Sequence, residues 1–229
     1  MSIYRRRLMI ANALKKSDSN INYPGLIAAW SAAGKSNDDA DRNVLRDLTG
    51  NGHDITLNGF AFNTEGSGYG HPEYPDALVF DGVDDYGINE EMPILTDYTV
   101  IVKREIFSGA QYSHVIGKRT GTIPGAFWFE RGKGDTHSFG MANSINILNE
   151  SISWQSTTSY NGTPIKKGEA EDIHELTIGV ASKTYPDFRG MAFYSAYLFD
   201  RSLGEQEIKS FIRKYIDADY LLPSEQTTE

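Results

Sequence analysis

From Leu26 to Phe199 the chain is written almost entirely in short runs that suit strands. LIAAW, DITLNGFAF, ALVFDG, YTVIVKREIF, HVIGK, AFWFER, SFGMA, INILNESISW, HELTIGVAS and MAFYSAYLF follow one another. Glycine-bearing turn signals part them: TGNGH, EGSGYG, FDGVDD, RTGTIPG, RGKGD and YNGTP. Many short strands at regular spacing indicate a sandwich or a barrel. The mixture of alternating and continuous apolar runs predicts an all-β, two-sheet antiparallel sandwich, each sheet with one buried face. Composition agrees, with 12% aromatic residues and 22 glycines, which favour strands and tight turns. The 229 residues are enough for one large domain. Cysteine is absent, which removes disulfides and thiolate metal sites.

Two segments break the strand pattern. MSIYRRRLMIANALKK, residues 1–16, has Tyr4, Leu8, Ala11 and Leu14 at helical spacing and reads as a short helix. It carries five basic residues and no acid, so a +5 arm precedes a body of −14 in a chain of net charge −9. Such segregation suggests that the arm meets an anionic surface or docks on a partner. It lacks the cleavage pattern of a secretion signal, and no stretch approaches the roughly 20 apolar residues of a membrane span. SDSNINYPG (Ser17–Gly25) reads as a linker. At the other end, Ile208, Phe211, Ile212 and Tyr215 form the apolar stripe of a helix, with Glu205, Glu207, Lys209 and Arg213 facing outward. Ser202 is placed to cap that helix, with Glu205 completing a capping box. The division expected is an anchor arm and linker at 1–24, a sandwich at 25–216 and a tail at 217–229, irregular over LLPSEQTTE.

Several chemical motifs can be set aside. AWSAAGKS (Ala29–Ser36) has the letters of a phosphate-binding loop, which needs a strand before it and a helix after it. Here NDDADRNVLRD follows, and three carboxylates would repel a nucleotide. Asn37, Asp39 and Asp41 alternate as in a calcium-binding EF-hand, but Arg42 stands where that loop needs glycine and Leu48 where it needs glutamate. The five histidines fall singly. An acidic body argues against a nucleic-acid surface around Trp128–Gly134.

Three stretches carry a resemblance. They are LRDLTGNGHDITLNGFAF (Leu45–Phe62), ALVFDGVDDYGIN (Ala77–Asn89) and FRGMAFYSAYLFDRSLGEQEIKSFIRKY (Phe188–Tyr215). In order and spacing they resemble the laminin-G-like, concanavalin A-like jelly rolls, with their Asp-x-Ser-Gly-Asn-Gly turn, Phe-Asp-Gly-x-Asp-Asp-Tyr turn and closing strand, Arg-Ser-Leu turn and helix. Asn51-Gly52 is expected to supply the positive φ angles of the first turn. The resemblance implies a jelly roll over about residues 25–216. That family includes glycan-binding modules, adhesion domains, calcium binders and glycosidases, so fold alone assigns no function.

Three candidate sites follow. Asp81, Asp84 and Asp85 match the rim carboxylates that hold calcium in some relatives, with Asp47 and Asn51 as neighbours. The alternative is that these acids cap turns. Tyr69, Tyr74 and Tyr112, and also Tyr160, are candidate exposed rings for stacking on sugars, the first two lying in the loop-like EGSGYGHPEYP. Glycosidase chemistry needs two carboxyls across the scissile bond. Glu169, Glu171, Asp172 and Glu175 do not reproduce the Glu-x-Asp-x-x-Glu spacing of enzymes on this fold. The expectation is therefore a non-enzymatic protein without a required cofactor.

The basic opening joined to such a jelly roll resembles virion proteins of phages that infect Bacteroides-like bacteria. That implies a head-fibre or capsid-decoration protein in a virion. Arg5, Arg6 and Arg7 would pair with acids on another virion protein, and Ile3, Leu8 and Ile10 would bury against it. The displayed jelly roll would touch host or mucosal glycans, as a monomer or homo-oligomer, with no nucleic-acid or membrane partner. The alternatives are a stand-alone carbohydrate-binding module in the cytoplasm or exported by a non-classical route, and a glycoside hydrolase.

Overall fold

The computed structural model describes residues 21–109, 112–120, 123–129, 136–139, 143–146, 151–164 and 173–225. The expected anchor residues Ile3, Arg5, Arg6, Arg7, Leu8 and Ile10, like Glu169, Glu171 and Asp172, lie outside these.

The described chain runs through β1 (Leu26–Ser31), β2 (Val44–Leu45), β3 (Ile55–Asn58), β4 (Gly68–His71), β5 (Tyr74–Asp81), β6 (Tyr86–Asn89), β7 (Thr99–Gly109), β8 (Ile116–Thr120) and β9 (Ile123–Phe129). It continues through β10 (Thr136–Phe139), β11 (Asn143–Asn146), β12 (Ile152–Ser156), β13 (Ser159–Tyr160), β14 (Thr163–Pro164), β15 (Leu176–Ile178), β16 (Val180–Ser182) and β17 (Tyr185–Phe199). Helix α1 (Glu205–Tyr215) and a 3₁₀ turn (Pro223–Glu225) end it. Pairing is antiparallel throughout. The larger sheet has the order β14-β13-β12-β7-β17-β5-β4, with β1 and β16 also on β17, and the smaller has β2-β3-β6-β15-β8-β9. The two-sheet sandwich expected from the sequence is present.

Alternation explains the layers. On β7, Val100 and Val102 face the smaller sheet, and Ile101 faces the other way. On β17, Ala196 and Leu198 point inward while Tyr197 and Phe199 point outward. From the smaller sheet, Ile55, Leu57, Ile116, Phe129, Leu176 and Ile178 fill the space between the sheets. Helix α1 covers the outer face of the larger sheet through Ile208, Phe211 and Ile212, packed on Ile101, Trp154, Tyr197 and Phe199. Three layers thus bury the central strands on both faces.

Side-chain packing fastens both ends of the described body. Tyr23 sets its ring edge-on against Phe199 and Phe211 at 6.0 and 5.1 Å, and the Ile21 N–H donates to the Leu48 carbonyl. The second half of the supposed linker is therefore fastened to the body. Beyond α1 the chain has no regular structure before the 3₁₀ turn, yet Tyr220 and Leu222 are buried in the helix layer. Ser202 does not cap α1: its hydroxyl donates to Asp97, and extended Gly204 occupies the cap position without a side-chain bond. Asp97 outcompetes the helix because its carboxylate also accepts from the Tyr98 and Ser202 N–H groups and the Thr157 hydroxyl. No helix of the described residues is long and apolar enough to cross a membrane.

Candidate functional site

Residues 32–43, including the Gly-Lys-Ser letters, form turns, not the helix a phosphate loop needs. Lys35 is held there by Asp41 at 2.7 Å. In the Asp47–Gly52 turn, Gly50 and Gly52 take the positive φ angles, and Asn51 does not. Asp47 organises this turn, accepting from the N–H groups of Ala29, Thr49 and His53. Trp30, buried as expected, donates its Nε1–H to the His53 carbonyl.

The rim acids do come together. One carboxylate oxygen from each of Asp81, Asp84 and Asp85 lies within 4.8 Å of the others, without Asp47 in the group. Asp81 accepts from the N–H groups of Val83 and Asp84, which closes the turn between β5 and β6. Asp85 is fully buried and accepts from the Ser67 hydroxyl and the Asp81 N–H. Burial pushes its carboxyl up to about 7 against those two bonds. A carboxyl with both oxygens engaged inward is a poor cation ligand, so the arrangement fits turn capping better than a calcium cage.

The candidate tyrosines separate. EGSGYGHPEYP is not a surface loop but includes the β4–β5 hairpin, and Tyr69 on β4 is 1% exposed in the inter-sheet core. Its ring is held inside by the reciprocal bonds of Asn37 with the Tyr69 backbone, so it cannot stack on an external sugar. Tyr160 is equally buried. Tyr112 is half-buried, edge-on to Tyr185 at 5.7 Å. Tyr74 remains at the surface, half-buried, and has company that the sequence did not reveal.

Tyr74 lies between His71 and Phe107, with ring centroids at 5.3 and 4.9 Å and interplanar angles of 31° and 35°. Phe107 is 46% exposed. Beside this row the Tyr194 hydroxyl donates to Glu105 at 3.3 Å, and the Lys103 ammonium lies 5.4 Å from the Tyr194 ring centre. Burial and then the Glu105 carboxylate raise the Tyr194 pKa, with Tyr74 and Asp76 also contributing.

The backbone accounts for this surface. Where β17 pairs with β7, the register shifts twice: Phe107 is the extra residue opposite Gly190 and Met191, and Tyr194 the extra one opposite Lys103 and Arg104. A third shift lies between Tyr69 and His71 where β4 meets β5. Bulges re-aim side chains that alternation would otherwise bury or scatter. Three of them in adjacent strands gather four rings and a carboxylate at one end of the larger sheet.

On the opposite side of the molecule, the outer face of the smaller sheet holds an open cleft of about 480 Å³. Thr56, Asn58, Tyr86 and Ile88 form its floor, and Asp54, Asn89, Glu90, Glu91 and Lys183 stand around it.

No protein-family model and no curated protein sequence matches this chain. Solved structures do. A sialidase from Trypanosoma rangeli, solved with sialic acid, is 14% identical with a TM-score of 0.56 over 93% of this chain and 38% of its own. The same enzyme with 2,3-difluoro-KDN gives 15% identity and 0.58, over 94% and 39%. Domain 4 of AbnA, a GH43 extracellular arabinanase from Geobacillus stearothermophilus solved with arabinotriose, gives 15% identity and 0.51, over 81% of this chain and 97% of the domain. The chain thus spans about two fifths of the sialidase chains it matches. At such identities the likeness is one of fold, a β-sandwich consistent with the concanavalin A-like jelly roll.

Proposed function

We propose that this protein binds carbohydrate through its β-sandwich and does so without catalysis. The observation that carries the reading is the bulge-built surface of His71, Tyr74, Phe107 and Tyr194 with Glu105 and Lys103 at its side. Sugar rings present an apolar face and a hydroxyl edge, and this surface offers aromatic faces flanked by a donor and an acceptor. Exposed aromatic area on a soluble fold ordinarily marks an interaction site. The solved neighbours lend support, because the sialidase and the arabinanase domain were both captured with saccharides.

The charge segregation of residues 1–16 favours a second, compatible reading in which the arm fixes the protein to an assembly such as a virion and the sandwich is displayed.

Binding of the full chain to a glycan array tests the first reading. Tyr74→Ala and Phe107→Ala are each expected to weaken the best ligand by about tenfold, the worth of one stacked ring. Undiminished binding by both variants would remove the aromatic surface from the account.

A further inference from the structure

We propose that the cleft on the smaller sheet is a second, separate ligand site, and that it takes a saccharide bearing no carboxylate, sulfate or phosphate. The carbohydrate class of ligand rests on the reading above; everything else stands on the cleft itself.

Its position follows from strand alternation. Ile55 and Leu57 on β3 point into the core, so Thr56 and Asn58 point out. On β6 a Cβ at Gly87 would meet Ile55 and Leu57, so Tyr86 and Ile88 lie on the outer face. The Tyr86 ring leans on Phe188 at 6.4 Å, which fixes one wall. Lys183, in the turn between β16 and β17, reaches Glu90 at 2.9 Å and closes one end. The volume, about 480 Å³, falls among small-ligand sites. One aromatic face, hydroxyl and amide groups and carboxylate acceptors suit a ring that carries hydroxyls on its edge and hydrocarbon on its face.

Charge then narrows the class. Among the described residues, three carboxylates, Asp54, Glu90 and Glu91, surround the cleft against one ammonium. That ammonium is engaged: Glu90 holds the Lys183 pKa above its usual value, with Tyr86 and Glu175 adding to the effect. Arg46, which reaches the cleft's Asp54, binds it at 2.6 Å and Asp41 at 3.3 Å. An acidic sugar would have to displace Glu90 from Lys183 and lie against the remaining carboxylates. A neutral or amino sugar meets no such opposition.

The test titrates the full chain with neutral pentose and hexose oligosaccharides, with sialylated and uronic oligosaccharides, and with glucosamine oligosaccharides. Acidic ligands are expected to bind about tenfold more weakly than neutral ones, and Glu91→Lys to close that gap. Thr56→Leu, at an exposed strand position, is expected to weaken neutral binding. Acidic ligands binding as tightly as neutral ones would overturn the assignment of class. Binding untouched by Thr56→Leu and Glu91→Lys, but lost in Tyr74→Ala and Phe107→Ala, would overturn the second site and leave the aromatic surface standing. No saccharide binding of any kind would defeat both.

Discussion

Asp85 sits at the end of the turn joining β5 to β6, its carboxyl inside the sandwich between Ser67 and the Asp81 N–H. Its folded pKa of about 7 exceeds the ordinary 3.8, so the folded state binds this proton more tightly than the unfolded chain. Its contribution to stability is therefore complete below about pH 4 and is lost as pH rises through 7. Asp85→Asn imitates the neutral form. The variant should gain on the wild type by about 4 kcal/mol between pH 4 and pH 8, because each tenfold difference in proton affinity is worth about 1.36 kcal/mol. Urea unfolding of both proteins at the two pH values measures this, and a difference that does not change with pH would contradict it. The sequence showed that three acids share this turn. It could not show which of them faces inward, because that depends on Ser67 arriving from the bend ahead of β4.

Helix α1 and strand β17 show what periodicity can and cannot convey. The stripe of Ile208, Phe211 and Ile212 was legible because 3.6-residue spacing has one explanation in water, and the structure buries those residues. Phe211 touches Tyr23, Tyr197 and Phe199 at 5.1 Å each. Phe211→Ala should cost about 3–5 kcal/mol of unfolding free energy, measured by urea denaturation. A loss below about 1 kcal/mol would mean that α1 is not part of the cooperative body. The bulges were illegible for the opposite reason. MAFYSAYLF is apolar on both faces because β17 is covered on both, so a change of phase at Tyr194 leaves little trace in the pattern. Likewise Phe107 after Ile106 looks like the end of a strand, not a ring turned to solvent. The capping box misled because Asp97, distant in sequence, competes for Ser202.

The whole molecule is an acidic sandwich with a helix laid on one side and a basic segment ahead of it. Ile21 and Tyr23 mark where the N-terminal side of the described body is pinned. Deleting residues 1–20 should leave the thermal unfolding midpoint unchanged, whereas deletion through Tyr23 should lower it. Equal midpoints in the two truncated proteins would show that Tyr23 packing contributes nothing. The sequence by itself determined the strand-rich architecture, the two-sheet class and the closing helix, because spacing of apolar residues and turn glycines are local quantities read along the chain. Only the tertiary structure decided which rings face water, which acids are buried and where the cleft lies. Those depend on register between strands far apart in sequence, and a shift of a single residue there moves a side chain from the core to the surface.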